Sequence, residues 1–224
     1  MYVIAPLSNC ASPKKRDRFL EYISKIAPVT SKTEPKCHGY AWFRSAEDNT
    51  AVPHHWLRGF EIYEDVEANT ETHRASAEYK AFRAAVGAEG LLDRPSDLRF
   101  WRPLLGHLVY QEEPVDFSAS TTSQYIITDE LTPLPGRKEH VVEQLGMLAH
   151  QAEKRQVPSF WVLHRGDGEQ DESLLVFARY NDQNGCVDID GQSEIKESWG
   201  RVYELCASKR RTTWVESGLG FLGR

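Results

Sequence analysis

One order of hydrophobic periodicities runs through this chain twice, and that repetition constrains the fold more than any single motif. Tyr2–Leu7 reads as a short strand closed by turn residues, and Ser12-Pro13 reads as a helix start, with Ser as the cap and Pro in the first turn. Phe19, Ile23 and Ile26 then recur at helical spacing, predicting an amphipathic helix from Pro13 to about Ile26. Period-two alternation takes over from Cys37 to Arg44 and again from about His55 to Tyr63. A second helix is expected from Asp65 to about Val86, ended by Gly87 and Gly90, and a fourth strand over Leu98–Leu105. Beyond the acidic, Ser/Thr-rich Gln111–Ser123 the same order returns. It gives a strand Tyr125–Leu131, a helix Arg137–Lys154, strands Ser159–His164 and Leu174–Tyr180, an unassigned stretch Asn181–Ser193, a helix Glu194–Ala207 and a strand Thr212–Leu222. The clearest internal match sets Phe60-Glu61-Ile62-Tyr63 against Phe177-Ala178-Arg179-Tyr180.

The fold class expected from this order is α+β, with two ferredoxin-like β-α-β-β-α-β repeats spanning 1–110 and 124–224 around a linker at 111–123. A sheet with helices on one face leaves its other face bare. Packing the two antiparallel sheets face to face, as an intramolecular α/β barrel, buries those faces and encloses a lumen. In the first repeat the expected assignment sends Trp56, Phe60 and Ile62 toward the helices. Tyr40, Trp42, His55, Glu61 and Tyr63 then face the lumen.

Charge and composition exclude several function classes. A net charge of −6 with short Lys/Arg clusters offers no broad surface to a phosphate backbone, so nucleic acid is not an expected partner. No apolar run approaches the roughly 18–20 residues that span a bilayer, so a cytoplasmic protein without membrane attachment is expected. Cys10, Cys37, Cys186 and Cys206 are far apart and read as reduced, mostly buried thiols. His54-His55 with His38 invites a metal reading, but adjacent strand residues point to opposite faces, and no H-E-x-x-H spacing supports it. Gly218-Leu219-Gly220-Phe221-Leu222-Gly223 spells the dinucleotide fingerprint without the helix that would meet a pyrophosphate.

The succession Glu34-Pro-Lys-Cys37, Glu61-x-Tyr63-x-Asp65, Ala68, His73-x-x-Ser76-x-x-Tyr79 and Phe82 resembles the antibiotic biosynthesis monooxygenase family of dimeric α/β barrels, in its tandem-repeat version. The likeness is specific over Ser8–Leu105. In the second half the His-Ser-Tyr pattern falls near Ile195-x-x-Ser198-x-x-Arg201, so a single working pocket is expected. The resemblance implies a small enzyme or ligand binder with its pocket inside the barrel. Its members include cofactor-independent oxygenases of aromatic polyketides, haem-degrading oxygenases, and isomerases or decarboxylases.

Cofactor-free oxygenation needs a base, hydrogen-bond donors for an enolate or phenolate, and a dry cavity. His73 is the leading candidate for the base, with Tyr63 as oxyanion donor and His55 as a further ionisable group. Glu61 either orients one of the histidines or pairs with Arg44 or Arg58. Tyr40, Trp42, Trp56, Tyr79 and Trp101 are candidates for substrate contact. The expected reaction is a monooxygenation of an aromatic, polyketide-type small molecule in secondary metabolism, with O2 as co-substrate and no cofactor. A cyclase, isomerase or decarboxylase, or a non-catalytic binder of an aromatic ligand or haem, are the alternatives. A fused pair of repeats needs no partner to complete its fold, yet its outer surfaces leave a homodimer open.

Overall fold

The computed structural model describes residues 1–109, 115–119, 124–165 and 171–223. In chain order the first elements are β1 (Tyr2–Ile4), β2 (Leu7–Ser8), α1 (Pro13–Thr33), β3 (Cys37–Ser45), β4 (Leu57–Tyr63), α2 (Ala77–Ala88), β5 (Trp101–His107) and β6 (Val115–Asp116). They are followed by β7 (Tyr125–Pro133), α3 (Lys138–Lys154), β8 (Ser159–Arg165), β9 (Leu174–Tyr180), α4 (Gln183–Asp190), α5 (Ser193–Glu204) and β10 (Cys206–Leu222). The α+β class and the doubled β-α-β-β-α-β order are therefore as read from the sequence, with α4 filling the stretch left unassigned. Of the expected linker 111–123, only 115–119 lies within the described residues, and it contains β6.

Spatial contacts divide the chain into two units whose membership does not follow sequence order. One gathers Met1–Phe100, Pro114–Thr121 and Trp214–Arg224, and the other Trp101–Glu113 and Thr122–Thr213. The division falls inside β10. Its later residues pair with β3, from Trp214↔Ser45 to Leu222↔Gly39, and so complete the sheet of the first unit. Likewise β5, the fourth strand of the first repeat, pairs with β8 in the second unit, from Trp101↔Arg165 to His107↔Phe160. Each sheet thus contains a strand supplied by the other repeat.

In the first unit β3 and β4 are antiparallel neighbours, and β1 and β2 border β4. Ser12 caps α1 by accepting from the Lys15 N–H at 3.3 Å, as the sequence indicates. The helix nevertheless runs past Ile26 and through Pro28 to Thr33, burying Ala27 and Thr30 in line with Phe19 and Ile23. In the second helical region the chain departs further from expectation. Ala68–Thr72 forms a π-type turn and His73–Ala75 a 3₁₀ turn, and α2 begins only after Ser76. Ser76 Oγ accepts from the Tyr79 N–H at 3.2 Å, so its place in the His-Ser-Tyr pattern is that of a helix cap.

The glycines of the fingerprint-like run lie in a strand. β10 shifts register between Glu216 and Leu219, and Gly220 at φ +105° sits so close to β3 that a Cβ would fall 1.9 Å from the Tyr40 carbonyl oxygen. The run is a bulge against β3, not a nucleotide-binding turn. All four cysteines are free; Cys10, Cys37 and Cys186 are buried, and burial pushes the Cys10 thiol up to about 12. Among the described residues no helix is long and apolar enough to cross a membrane.

The second unit is closed around a buried ionic network. Asp129 on β7 is fully buried, with Arg211 Nε 3.0 Å from its Oδ1 and the Tyr203 hydroxyl donating at 2.8 Å. Arg211 also reaches Asp190 at 2.8 Å and stacks over Trp199, 4.5 Å from the ring centroid. Burial raises the Asp129 carboxyl above its ordinary range, against the opposing pull of Arg211. Tyr180, the counterpart of Tyr63, donates to Asp190 at 3.0 Å, and Ala178 stands where the first repeat has Glu61.

Candidate active site

Cross-strand pairing decides which side chains meet. Directly opposed residues of antiparallel strands share a face, and β3 and β4 oppose Tyr40 to Glu61, Trp42 to Gly59 and Cys37 to Tyr63. The sequence reading put Tyr40, Trp42, Glu61 and Tyr63 together, and they are together. The direction of that face is the correction: it meets α1, α2 and the His73 turn, while Phe60 and Ile62 take the other face. Trp42 packs on Phe19 of α1 with centroids 4.8 Å apart, and Phe19 meets Phe82 of α2 edge-on at 4.8 Å. On the opposite face Phe43 meets Phe117 at 5.6 Å, and a Cβ on Gly39 would strike Ile62. The hydrophobic pattern could not choose a direction because every residue of β4 is buried.

Between sheet and helices lies a narrow cleft with about 30 Å³ of free space beneath an open mouth. Tyr40, Trp42, Glu61, Asn69 and Tyr79 line it, with Arg74 and Arg83 also on its wall. Gly59 makes room for the Trp42 ring, since a Cβ there would lie 2.9 Å from its Cη2. Glu61 is 7 % exposed and accepts from the Tyr63 hydroxyl at 2.9 Å. Burial raises its carboxyl above the ordinary range, and His73 pulls in the other direction. Burial, reinforced by Glu61, also raises the Tyr40 and Tyr63 hydroxyls well above theirs, so both are neutral donors near pH 7.

His73 stands behind this wall, fully buried, with its ring 5.1 Å from those of Tyr40 and Tyr79 and 5.7 Å from that of Tyr63. Its Nδ1 faces the Glu34 carboxylate at 2.9 and 3.3 Å, so the proton on that nitrogen is assigned from its acceptors. Thr30 Oγ1 donates to Glu34 at 3.2 Å. His73 Nε2 has no hydrogen-bond partner among the described residues. Neither do the buried Asn69 Oδ1 and Trp42 Nε1, the latter lying near the Tyr40 hydroxyl without reaching hydrogen-bond geometry.

Other expected site residues are elsewhere. His55 lies in the turn before β4, and Trp56 follows it under Arg94, 5.7 Å from the ring centroid; neither lines the pocket. Trp101 is in the second unit, covered by Arg165 at 3.7 Å. Arg58 is on the opposite face of β4 and donates to the Ala5 carbonyl at 2.9 Å, while Glu61 is bonded to Tyr63. Asn69, Arg74 and Arg83 line the pocket and Glu34 supports His73 behind it, and none of the four is among the site candidates of the sequence reading. Glu34 carried a signal: once α1 is extended to Thr33, it is the helix-terminal residue one turn after Thr30.

Residues 1–85 match the sequence profile of the family described as antibiotic biosynthesis monooxygenase. Among curated proteins none matches the chain. Solved structures resemble it over almost its whole length. A protein from Fusobacterium nucleatum, provisionally described as a monooxygenase, aligns with a TM-score of 0.75 at 11 % identity, covering 98 % of this chain and 95 % of that one. One from Lactobacillus acidophilus NCFM with the same provisional description gives 0.67 at 12 %, covering 98 % and 96 %. An anthrone oxidase-like protein gives 0.66 at 15 %, covering 96 % and 90 %. At these identities the likeness speaks for the fold. The profile match places the likeness to the antibiotic biosynthesis monooxygenase family in residues 1–85, and the solved structures extend a shared α+β fold over both repeats.

Proposed function

We propose that this protein is a cofactor-independent monooxygenase of an electron-rich aromatic, polyketide-type small molecule, and that Glu61 rather than His73 is its base. The observation that carries the reading is the Glu61 carboxyl: buried on the wall of an aromatic pocket, held by Tyr63, and raised in pKa by burial. A base with a raised pKa accepts a proton more readily from a weak carbon or phenol acid. His73, tethered by Glu34, sits behind Glu61 and biases its charge. Tyr40, Trp42 and Tyr79 supply stacking walls, and the Tyr40 hydroxyl and Trp42 indole N–H supply donors for an enolate oxygen. For a methylene between aromatic rings, loss of a proton to Glu61 gives a carbanion that passes an electron to O2. Recombination gives a hydroperoxide, and loss of water leaves a ketone, so that CH2 and O2 become C=O and H2O.

Oxygen uptake with a panel of anthrone- and naphthol-type substrates tests this. Turnover should require O2, and Glu61→Gln should lower kcat by about 10²–10⁴-fold. Turnover under strict anaerobiosis would replace the oxygenase with an isomerase, cyclase or decarboxylase using the same pocket.

A further inference from the structure

Arg74 and Arg83 approach the pocket from two elements. Arg74 follows His73 in the 3₁₀ turn, and Arg83 lies one turn beyond Tyr79 on the same face of α2. Neither makes a hydrogen bond or ion pair among the described residues, and Arg74 Nε is buried with no acceptor. Three other arginines hold carboxylates: Arg18 holds Glu89 at 2.9 Å, Arg99 holds Asp97 at 3.0 Å and Arg211 holds Asp129 at 3.0 Å. A guanidinium N–H buried without an acceptor is costly, and the cost falls when a ligand brings the acceptor. Tyr40, Trp42 and Tyr79 line the same pocket as the two arginines, so the acceptor it fits is a planar oxyanion attached to a ring.

We infer that Arg74 and Arg83 form an anion subsite at the pocket wall, and that the natural ligand is an aromatic compound carrying a carboxylate. The guanidinium pair binds the carboxylate in charge-assisted hydrogen bonds, while the ring stacks between Trp42 and Tyr79. The subsite rests on the pocket being the active site, but it is a statement about binding and stands or falls without turnover.

The test compares 2-naphthoate with its neutral isostere 2-naphthamide by isothermal titration of the full chain. The wild-type protein should bind naphthoate at least about 10-fold more tightly than naphthamide, the scale of one charge-assisted contact. In Arg74→Met/Arg83→Met the preference should shrink to within about 2-fold, and Arg83→Glu should reverse the contribution of that residue at an exposed position that leaves folding intact. Glu61→Gln should bind naphthoate at least as tightly as the wild type, even though it is expected to lose oxygen uptake. Equal binding of the two probes, a preference that survives in the double variant, or no naphthoate binding at millimolar concentration would each overturn the subsite. Loss of oxygen uptake in Glu61→Gln with an unchanged naphthoate preference would support both proposals separately.

Discussion

Glu34 offers the sharpest test of how the pocket is supported. Its carboxylate is 4 % exposed, and its partner His73 is fully buried. Replacing Glu34 with Ala removes the contacts to His73 Nδ1 at 2.9 and 3.3 Å and the hydrogen bond from Thr30 at 3.2 Å. His73 Nε2 is already unpartnered, so the variant leaves a buried imidazole whose remaining partner is Thr30 Oγ1, 3.4 Å from Nδ1. Removing one member of such a buried pair costs about 3–5 kcal/mol. Glu34→Gln keeps the shape and one acceptor for the Nδ1 proton, so it should cost about 1–2 kcal/mol. Thr30→Val, which removes a single neutral donor, should cost about 1 kcal/mol. Urea denaturation followed by far-ultraviolet circular dichroism measures all three. A double-mutant cycle between Glu34→Ala and His73→Ala should return a coupling of roughly 1–3 kcal/mol. Additive losses, or a cost below about 1 kcal/mol for Glu34→Ala, would refute the claim that the pair is the buttress of the pocket.

Further outcomes follow from the same geometry. Because burial raises the Glu61 carboxyl, the folded state favours its protonated form. That stabilisation is present below the ordinary value of 4.5 and is lost as pH rises through the raised folded value. Glu61→Gln should therefore gain stability relative to wild type between pH 4.5 and 8, measured as the difference in urea midpoints. His55→Ala and Trp56→Ala should leave kcat/KM within about 2-fold, because neither residue lines the pocket. Arg211→Met should cost about 3–5 kcal/mol by stranding the buried Asp129, with little change in substrate binding measured on the folded protein. Gly59→Val should lower substrate affinity and cost about 1–3 kcal/mol, because the new side chain drives into Trp42 and Pro6.

The legible parts of the fold were those with a local cause. Strand Leu174–Tyr180 and the Ser12 cap were readable because an apolar run and a capping hydroxyl are signals within a few residues. The end of α1 was not, because Pro28 reads as a stop while burial of Ala27 and Thr30 carries the helix past it. Glu34 stands in the succession that carries the resemblance, but its pairing with His73 is not readable until the helix is seen to end at it. The co-facial set Tyr40, Trp42, Glu61 and Tyr63 was readable from period two, but its direction was not, since both faces of β4 are buried. His73 was picked for its chemistry and lies beside the site; its place behind Glu61 depends on the turn geometry between Ala68 and Ala75. Trp101 lies away from the pocket for a different reason: it belongs to the first repeat in sequence, but its strand pairs in the second unit.

The strand shared between repeats also sets a clock on synthesis. The edge of β3 that carries Tyr40 and Trp42 is paired by residues from Trp214 onward, which leave the ribosome 114 residues after Phe100. At roughly 5–20 residues per second, about 6–23 s pass in which the pocket-bearing sheet has an open edge, a period when wrong strands can pair with it. Rare codons between Phe100 and Trp214 would lengthen that exposure without altering a single contact in the finished protein.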